Sequence, residues 1–233
     1  MNLNFDLDND KEFEDSLEQQ GNGGFLDTKE LEYVDSGIYS SEITSAFIKT
    51  ITSKSTGETT ENIDCTCVAY SKTGEVLGKF NFLTSLDRNN KFYTKTLELC
   101  FVTGNRKGLE ESVVTKKDGS VVESYDGTPL RQYKELCGKR IYVGIFKKGE
   151  ITASNGNVYP TYSLYFLYDK DKRTAREIRN NLPATQVSKD WAYLQKKIAE
   201  QKEQEEAREK MNTPVEPTQP AFSSAKADDD LPF

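Results

Sequence analysis

Two neighbouring stretches constrain this chain more than any other feature: "KRIYVGIFKKGE" at 139–150 and "VYPTYSLYFLYD" at 158–169. Both alternate with the period of two that defines a strand with one buried face. In the first, Ile141, Val143 and Ile145 oppose Tyr142, Gly144 and Phe146. In the second, Tyr162, Leu164, Phe166 and Tyr168 oppose Tyr159, Thr161, Ser163, Tyr165 and Leu167. The polar stretch "ITASNGNVYP" between them caps a hairpin.

Three more strands are predicted upstream, near 37–52, 61–71 and 75–84, rich in Thr, Ile, Val and aromatics and divided by the turn signals "SKSTGE" and "SKTGE". The first is long, and a long bent strand in a barrel pairs with both halves of its sheet. In "DRNNKFYTKTLELCFVTG", the positions of Phe92, Tyr93, Thr96, Leu97, Cys100 and Phe101 predict a helix, capped by Asn89 or Asn90 and stopped by Gly104. "VVTKKDGSVVES" predicts a hairpin turning at Asp118-Gly119, and "TPLRQYKELCGK" a short helix over 129–136 with Pro129 in its first turn and Gly138 as its stop. Both read as insertions before the fourth main strand. A later helix is capped by Ser188 and carries the stripe Trp191, Leu194, Ile198. It runs to about 210.

The order is then β-β-β-α-β-β. It predicts a mainly β, α+β chain built as an OB-fold: a five-stranded barrel with a helix between strands three and four, followed by a C-terminal helix and a disordered tail. The expected organisation is an acidic, partly disordered arm over 1–32, the barrel over 33–180, the helix over 186–210, and a flexible linker and acidic tail over 211–233.

Charge supports this division. The net charge of −7 averages three unlike regions. Residues 1–32 hold 2 basic and 10 acidic side chains, net −8; residues 33–199 hold 25 and 19, net +6; residues 200–233 hold 4 and 9, net −5. A basic middle between acidic ends favours an anionic partner for the middle. The chain has no histidine, which removes the commonest general base. No Walker loop, G-x-G-x-x-G or spaced carboxylate constellation stands outside the solvated ends, so no catalysis and no cofactor are expected. Cys65, Cys67, Cys100 and Cys137 lack C-x-x-C spacing, so no metal is expected; Cys65 and Cys67 point the same way on a strand and read as buried small hydrophobes. The start "MNLNFDLDNDKEFED" is no signal peptide, and no apolar run approaches ~18 residues. The expectation is a soluble, cytoplasmic protein that meets no membrane.

A groove for single-stranded nucleic acid needs cations along the backbone and flat rings on which bases stack. This chain interleaves both, in "GKFNF", "NNKFYTK", "KRIYVGIFKK" and "YPTYSLYFLY". If Ile141, Val143 and Ile145 face the core, Tyr142 and Phe146 face out between Lys139, Arg140, Lys147 and Lys148, and Tyr159 and Tyr165 join them from the next strand. With Lys79 and Phe80, these are the candidate DNA-binding residues. The plainer alternative is that Tyr and Phe favour strands anyway and that some of these rings are core.

The last residues are Asp228, Asp229, Asp230, Leu231, Pro232 and Phe233. An aromatic ring and a terminal carboxylate on one stiffened residue, beside three aspartates, suit a small apolar pocket with a basic rim. "NTPVEPTQPAFSSAKA" before them gives this peptide reach. A basic, aromatic barrel followed by such a linker and "DDDLPF" resembles the single-stranded DNA-binding protein family, whose bacterial members end in nearly the same peptide. "DSGIYSSEITSAFIKTITSKSTGE" is similar to the opening of phage-encoded members; the bacterial N-terminal sequence and Gly/Gln-rich linker are missing, so the bacterial tetramer does not carry over, though a homo-oligomer stays open. The resemblance implies sequence-independent coating of single-stranded DNA in phage replication or recombination inside a bacterial host. It also implies docking of replication, recombination and repair proteins on the tail, which competes with DNA for the basic groove until DNA displaces it. Two rivals remain: an adaptor whose barrel binds protein, and, more weakly, a Mg-dependent nuclease or recombination enzyme.

Overall fold

The computed structural model describes residue 28 and residues 30–52, 57–116, 118–124, 127–152 and 156–212, with side chains described as far as residue 208. The acidic tail and most of the N-terminal arm lie outside the described residues.

Among the described residues, seven strands form one antiparallel sheet. Strands β1 (Gly37–Thr52), β2 (Thr59–Tyr70) and β3 (Val76–Ser85) form a meander, and helix α1 (Tyr93–Val102) follows. Two short strands, β4 (Ser112–Val113) and β5 (Arg131–Gln132), precede the hairpin of β6 (Arg140–Thr152) and β7 (Val158–Tyr168). Helices α2 (Ala175–Arg179) and α3 (Gln186–Asn212) complete the order. The five main strands and the helix between the third and fourth stand where the alternation and turn residues put them, but neither Asn89 nor Asn90 caps the helix: Phe92 holds the cap position without a side-chain bond, and Asn90 Oδ1 accepts from Phe92 N (2.9 Å), one residue before the helix begins.

β1 organises the sheet. One edge pairs with β2 from Ser40↔Tyr70 to Thr52↔Thr59, with a bulge between Ile43 and Ser45. On its other edge, Gly37–Glu42 pair with β6 and Phe47 pairs with Gln132 of β5. The bulge reverses side-chain parity midway, so Ile43 and then Ala46 and Ile48 all reach the same core. Ile63, Cys65 and Cys67 of β2, Phe80 and Phe82 of β3, Leu99 of α1, and Ile141, Val143 and Ile145 of β6 meet them there. Cys65 and Cys67 are fully buried as expected, and burial pushes both thiols well up.

Among the described residues the sheet does not close on itself: no ladder joins β3 to β7. The chain entering β1 lies along this seam. Lys79 N donates to Glu32 O (2.8 Å) and Val34 N to Lys79 O (3.0 Å), making a parallel bridge at Tyr33 and Lys79. From β7, the Tyr162 hydroxyl donates to Val34 O, and Tyr159 packs edge-on to Tyr33 at 6.4 Å. Only glycine serves at 78: its φ is +150°, and a Cβ there would collide with the Glu32 carbonyl.

Other expectations need correction. The helix over 129–136 is instead β5 followed by a single 3₁₀ turn, Lys134–Leu136. Leu130 closes a second small core with Phe47, Val114 and Val122, and Tyr133 N bonds to Ala46 O (2.9 Å), so the segment is held extended against β1. The hairpin turning at Asp118-Gly119, by contrast, is present: Thr115 bridges Val121, Lys116 N donates to Ser120 O (2.8 Å) and Val122 N to Val114 O (2.9 Å), while β4 at its outer end also pairs with β5. Finally, α3 begins two residues before Ser188, and its first exposed backbone N–H groups go to another side chain. Glu177 accepts from Thr185 N, Gln186 N and Thr185 Oγ1 with one carboxylate oxygen, and from Thr174 N and Oγ1 with the other. One carboxylate thus secures the start of α2 and the entry to α3. Although burial opposes ionisation, these donors hold the carboxyl at about 2.

Contacts divide the chain into two units, 1–198 and 199–233. The described part of the second is the charged remainder of α3.

Candidate nucleic-acid interface

The outer face of β6 and β7 is not one surface. Up to Leu164, β7 follows the expected alternation. There Ile145 pairs with Leu164 while Gly144 pairs with Phe166, which leaves Tyr165 as an extra bulged residue. Parity reverses beyond it: Leu167 joins the core, and Phe166 and Tyr168 turn outward, opposite to the simple alternation. Gly144 permits this, since a Cβ there would stand 2.8 Å from Phe166 Cδ2.

Helix α3 covers the outward rings of this central stretch. Tyr165 packs on Phe146 (5.8 Å between centroids), Phe166 (5.8 Å) and Tyr193 (6.1 Å), and Phe166 packs on Tyr193 (6.2 Å) and Tyr168 (6.3 Å). The buried Tyr168 hydroxyl donates to Asp190 Oδ2 at 2.7 Å, and Leu194 is fully buried. Of the predicted stripe, Leu194 packs inward, whereas Trp191 remains 45% exposed. Phe146 and Tyr165, both predicted to stack on bases, are therefore half-buried members of a helix-docking cluster.

Nearer the start of β6 the same face is open. Ser40 stands opposite Tyr70 on one side and Tyr142 on the other. The two half-buried rings thus lie two strands apart, about 10 Å by ordinary sheet spacing, with a small residue between them. Each ring carries a cation. The Arg140 guanidinium carbon lies 5.1 Å from the Tyr70 centroid, and the Lys172 ammonium 5.1 Å from that of Tyr142. Arg140 also pairs with Glu42, Nε to Oε2 at 3.2 Å. Burial, with the Glu42 charge, pushes the Tyr70 phenol up against the opposing pull of Arg140. Lys139 is exposed beside this row.

The turn that carries Lys172 is fixed by the Asp169 carboxylate. Asp169 Oδ1 accepts from Asp171 N (2.9 Å) and Arg173 N (2.8 Å), and its Oδ2 takes the Arg173 guanidinium at 2.8 Å. The turn leaves Lys172 at φ +63°, a conformation that costs a side-chain-bearing residue. Sequence reading missed Tyr70, Ser40 and Lys172. The run "YDKDKR" at 168–173 was the available signal, a charged turn right after a strand.

The remaining predicted residues lie elsewhere. Phe80, named as a DNA-binding candidate, is fully buried against Tyr39, Phe82 and Tyr162, so no base can reach it and it is a core ring. Its neighbour Lys79 is only 6% exposed, its ammonium 5.0 Å from the Tyr33 ring centroid. Lys147, Lys148 and Tyr159 gather toward the tip of the β6–β7 hairpin. Lys147 pairs with Glu150 at 3.0 Å, its N–H donates to Ser36 Oγ at 2.8 Å, and Lys148 is exposed. Asp228–Phe233 lie outside the described residues. Among the described residues, no three His, Cys, Asp or Glu side chains converge as a metal-ligand group, and no helix is long and apolar enough to cross a membrane.

No family model, curated protein or solved structure matches the chain.

Proposed function

We propose that this chain binds single-stranded DNA without sequence preference, on the open outer face of β2, β1 and β6. The observation that carries the reading is the row Tyr70, Ser40, Tyr142 with a cation on each ring. Rings supply stacking planes for any base, and Arg140 and Lys172 are placed to take phosphates. The strand order supports an OB-type barrel: with β4 and β5 set aside, a three-stranded meander, a helix and a hairpin follow in turn, and β1 serves both halves. In this reading residues 32–34 fill the seam between β3 and β7 that a closed barrel would pair directly.

The segment Asp228–Phe233 is proposed as a docking peptide for replication, recombination and repair proteins, on the strength of its chemistry: three carboxylates beside an apolar Leu-Pro-Phe. Coating and protecting single strands in phage DNA replication, within a bacterial cytoplasm, is the setting that the sequence resemblance suggests. Catalysis has no part in the proposal.

The test is a salt series with labelled oligo(dT) and a duplex of equal length. The expected result is clear preference for oligo(dT), with affinity falling steeply as salt rises. Equal affinity for duplex, or no binding to either, sinks the proposal; absence of binding together with capture of a replication protein by the tail favours the adaptor.

A further inference from the structure

The chain between β5 and β6 runs along β1, across the gap that β1 leaves between its ladders with those two strands. Tyr133 N donates to Ala46 O (2.9 Å), Gly138 N to Ile43 O (2.8 Å) and Ile43 N to Lys139 O (3.1 Å). Leu136 of this segment is buried in the main core, while Lys134 and Lys139 are exposed. The loop leaving α1 is tied to the same segment: Asn105 Nδ2 donates to Glu135 O (3.3 Å) and Glu110 N to Glu135 Oε1 (3.2 Å). Between these ties stand Arg106 and Lys107, both exposed, in a turn closed by Gly108 N on Asn105 O (3.2 Å). Arg140, Lys139, Lys134, Arg106 and Lys107 thus form a ridge of cations that starts at the Tyr70 ring and ends at a third half-buried ring, with Arg106 Cζ 5.7 Å from the Phe101 centroid. Arg140 is paired with Glu42; among the described residues the other four have no ion-pair partner. Of the acids alongside, Glu111 is taken by Arg131, and Glu135 turns one oxygen onto Glu110 N and buries the other.

We infer that this ridge continues the single-strand path, carrying phosphates from Arg140 at the Tyr70 end of the row onward to Arg106 beside Phe101. This extension rests on the single-strand reading. Placement carries it. A strand lying on Tyr142 and Tyr70 leaves the row beside Arg140, and Lys139 and Lys134 stand on the segment that leads into Arg140. Exposed cations that pair with no carboxylate keep their charge for a polyanion. Backbone bonds to β1 and the Glu135 ties hold the segment and loop that bear them, so little order is lost on binding. A basic track beyond the stacking rings is also what lets a binder without sequence preference hold a longer strand than its rings alone engage.

The test compares the full chain with a full-length variant carrying Arg106→Gln, Lys107→Gln and Lys134→Gln, all at exposed positions. Lys91→Gln, which removes another exposed cation standing on a ring but off the ridge, controls for charge alone. Oligo(dT) of about 5 nucleotides covers little beyond the row, whereas one of about 25 overruns a single barrel. For the longer oligo, the triple variant should bind at least about tenfold more weakly at ~50 mM salt and lose about 2 from the slope of log affinity against log salt, three phosphates' worth on a single strand. The shorter oligo should bind the triple variant as it binds the native chain, and Lys91→Gln should leave the slope for either oligo unchanged. Native affinity and slope for the longer oligo in the triple variant overturn the inference and leave the single-strand reading standing. An equal loss for both oligos, or a loss per charge as large in Lys91→Gln, overturns it too, since the charges then act only through the overall field. If the native chain binds neither oligo, the single-strand reading fails and the ridge path with it.

Discussion

The outer face of the β6–β7 hairpin is rich in rings throughout, yet its two halves do different things. In the central half, Phe146, Tyr165, Phe166 and Tyr168 face a helix, and their rings meet each other and Tyr193. In the half nearer the start of β6, Tyr142 looks across Ser40 to Tyr70, and what meets the rings is charge. A ring among rings is a packing element, stabilising through buried area and edge-to-face contact. A half-buried ring with a cation on its face keeps a surface that, under the proposed function, a base would take over while the cation passes to a phosphate. Neighbours, rather than residue type, decide which role a tyrosine has.

Breaking the covered half should damage stability and leave the open half's affinity intact. The largest effect is expected from Leu194→Ala, which empties a fully buried site under α3 and should cost about 2–5 kcal/mol in denaturant unfolding. If Leu194→Ala unfolds like the native chain, α3 is not docked on the rings.

Next comes Glu177→Gln, which removes the charge from a carboxylate accepting from two helix entries and should cost roughly 1.5–3 kcal/mol. Its pH dependence has a defined sign. The folded carboxyl sits at about 2, below its ordinary 4.5, so the native chain holds this stabilisation in full above 4.5 and loses it as pH falls toward 2. Unfolding curves of Glu177→Gln and the native chain should converge over that window. Parallel curves there would show that the carboxylate does not secure the helices.

The open half should show the opposite pattern. Tyr142→Ala and Tyr70→Ala are each expected to weaken oligo(dT) binding by roughly 1–3 kcal/mol while the melting transition stays cooperative and nearly unmoved. Tyr165→Ala should do the reverse, losing stability and little affinity. The smallest effect belongs to Lys172→Ala: a reduction of about 0.7 in the slope of log affinity against log salt, one phosphate's worth on a single strand. An unchanged slope removes Lys172 from the interface.

This division explains what the sequence could and could not convey. Period-two alternation located the main strands, and helical spacing located α1, because both depend on neighbours in the chain. The core positions of Ile141, Val143 and Ile145 follow from the same local rule. The bulge at Tyr165 does not. It depends on Gly144 yielding room to Phe166 from the adjacent strand, and one extra residue reverses the faces of all that follow. Phe80 and Lys79 look like any Lys-aromatic pair until the entering segment covers one and the core takes the other. Tyr70 and Tyr142 are 72 positions apart in the chain and become neighbours only through Ser40. The 129–136 segment has a helix's turn residues but is overruled by pairing with β1.

The most direct measurement is photocrosslinking of the full-length protein to iodouracil-substituted oligo(dT), with the attached residues identified by mass spectrometry. Crosslinks at Tyr70 and Tyr142 are the predicted result, since those rings lie open on one row of the sheet. Crosslinks confined to Phe146, Tyr165 or Phe166 would contradict the account, because they would require the strand to bind where α3 now packs.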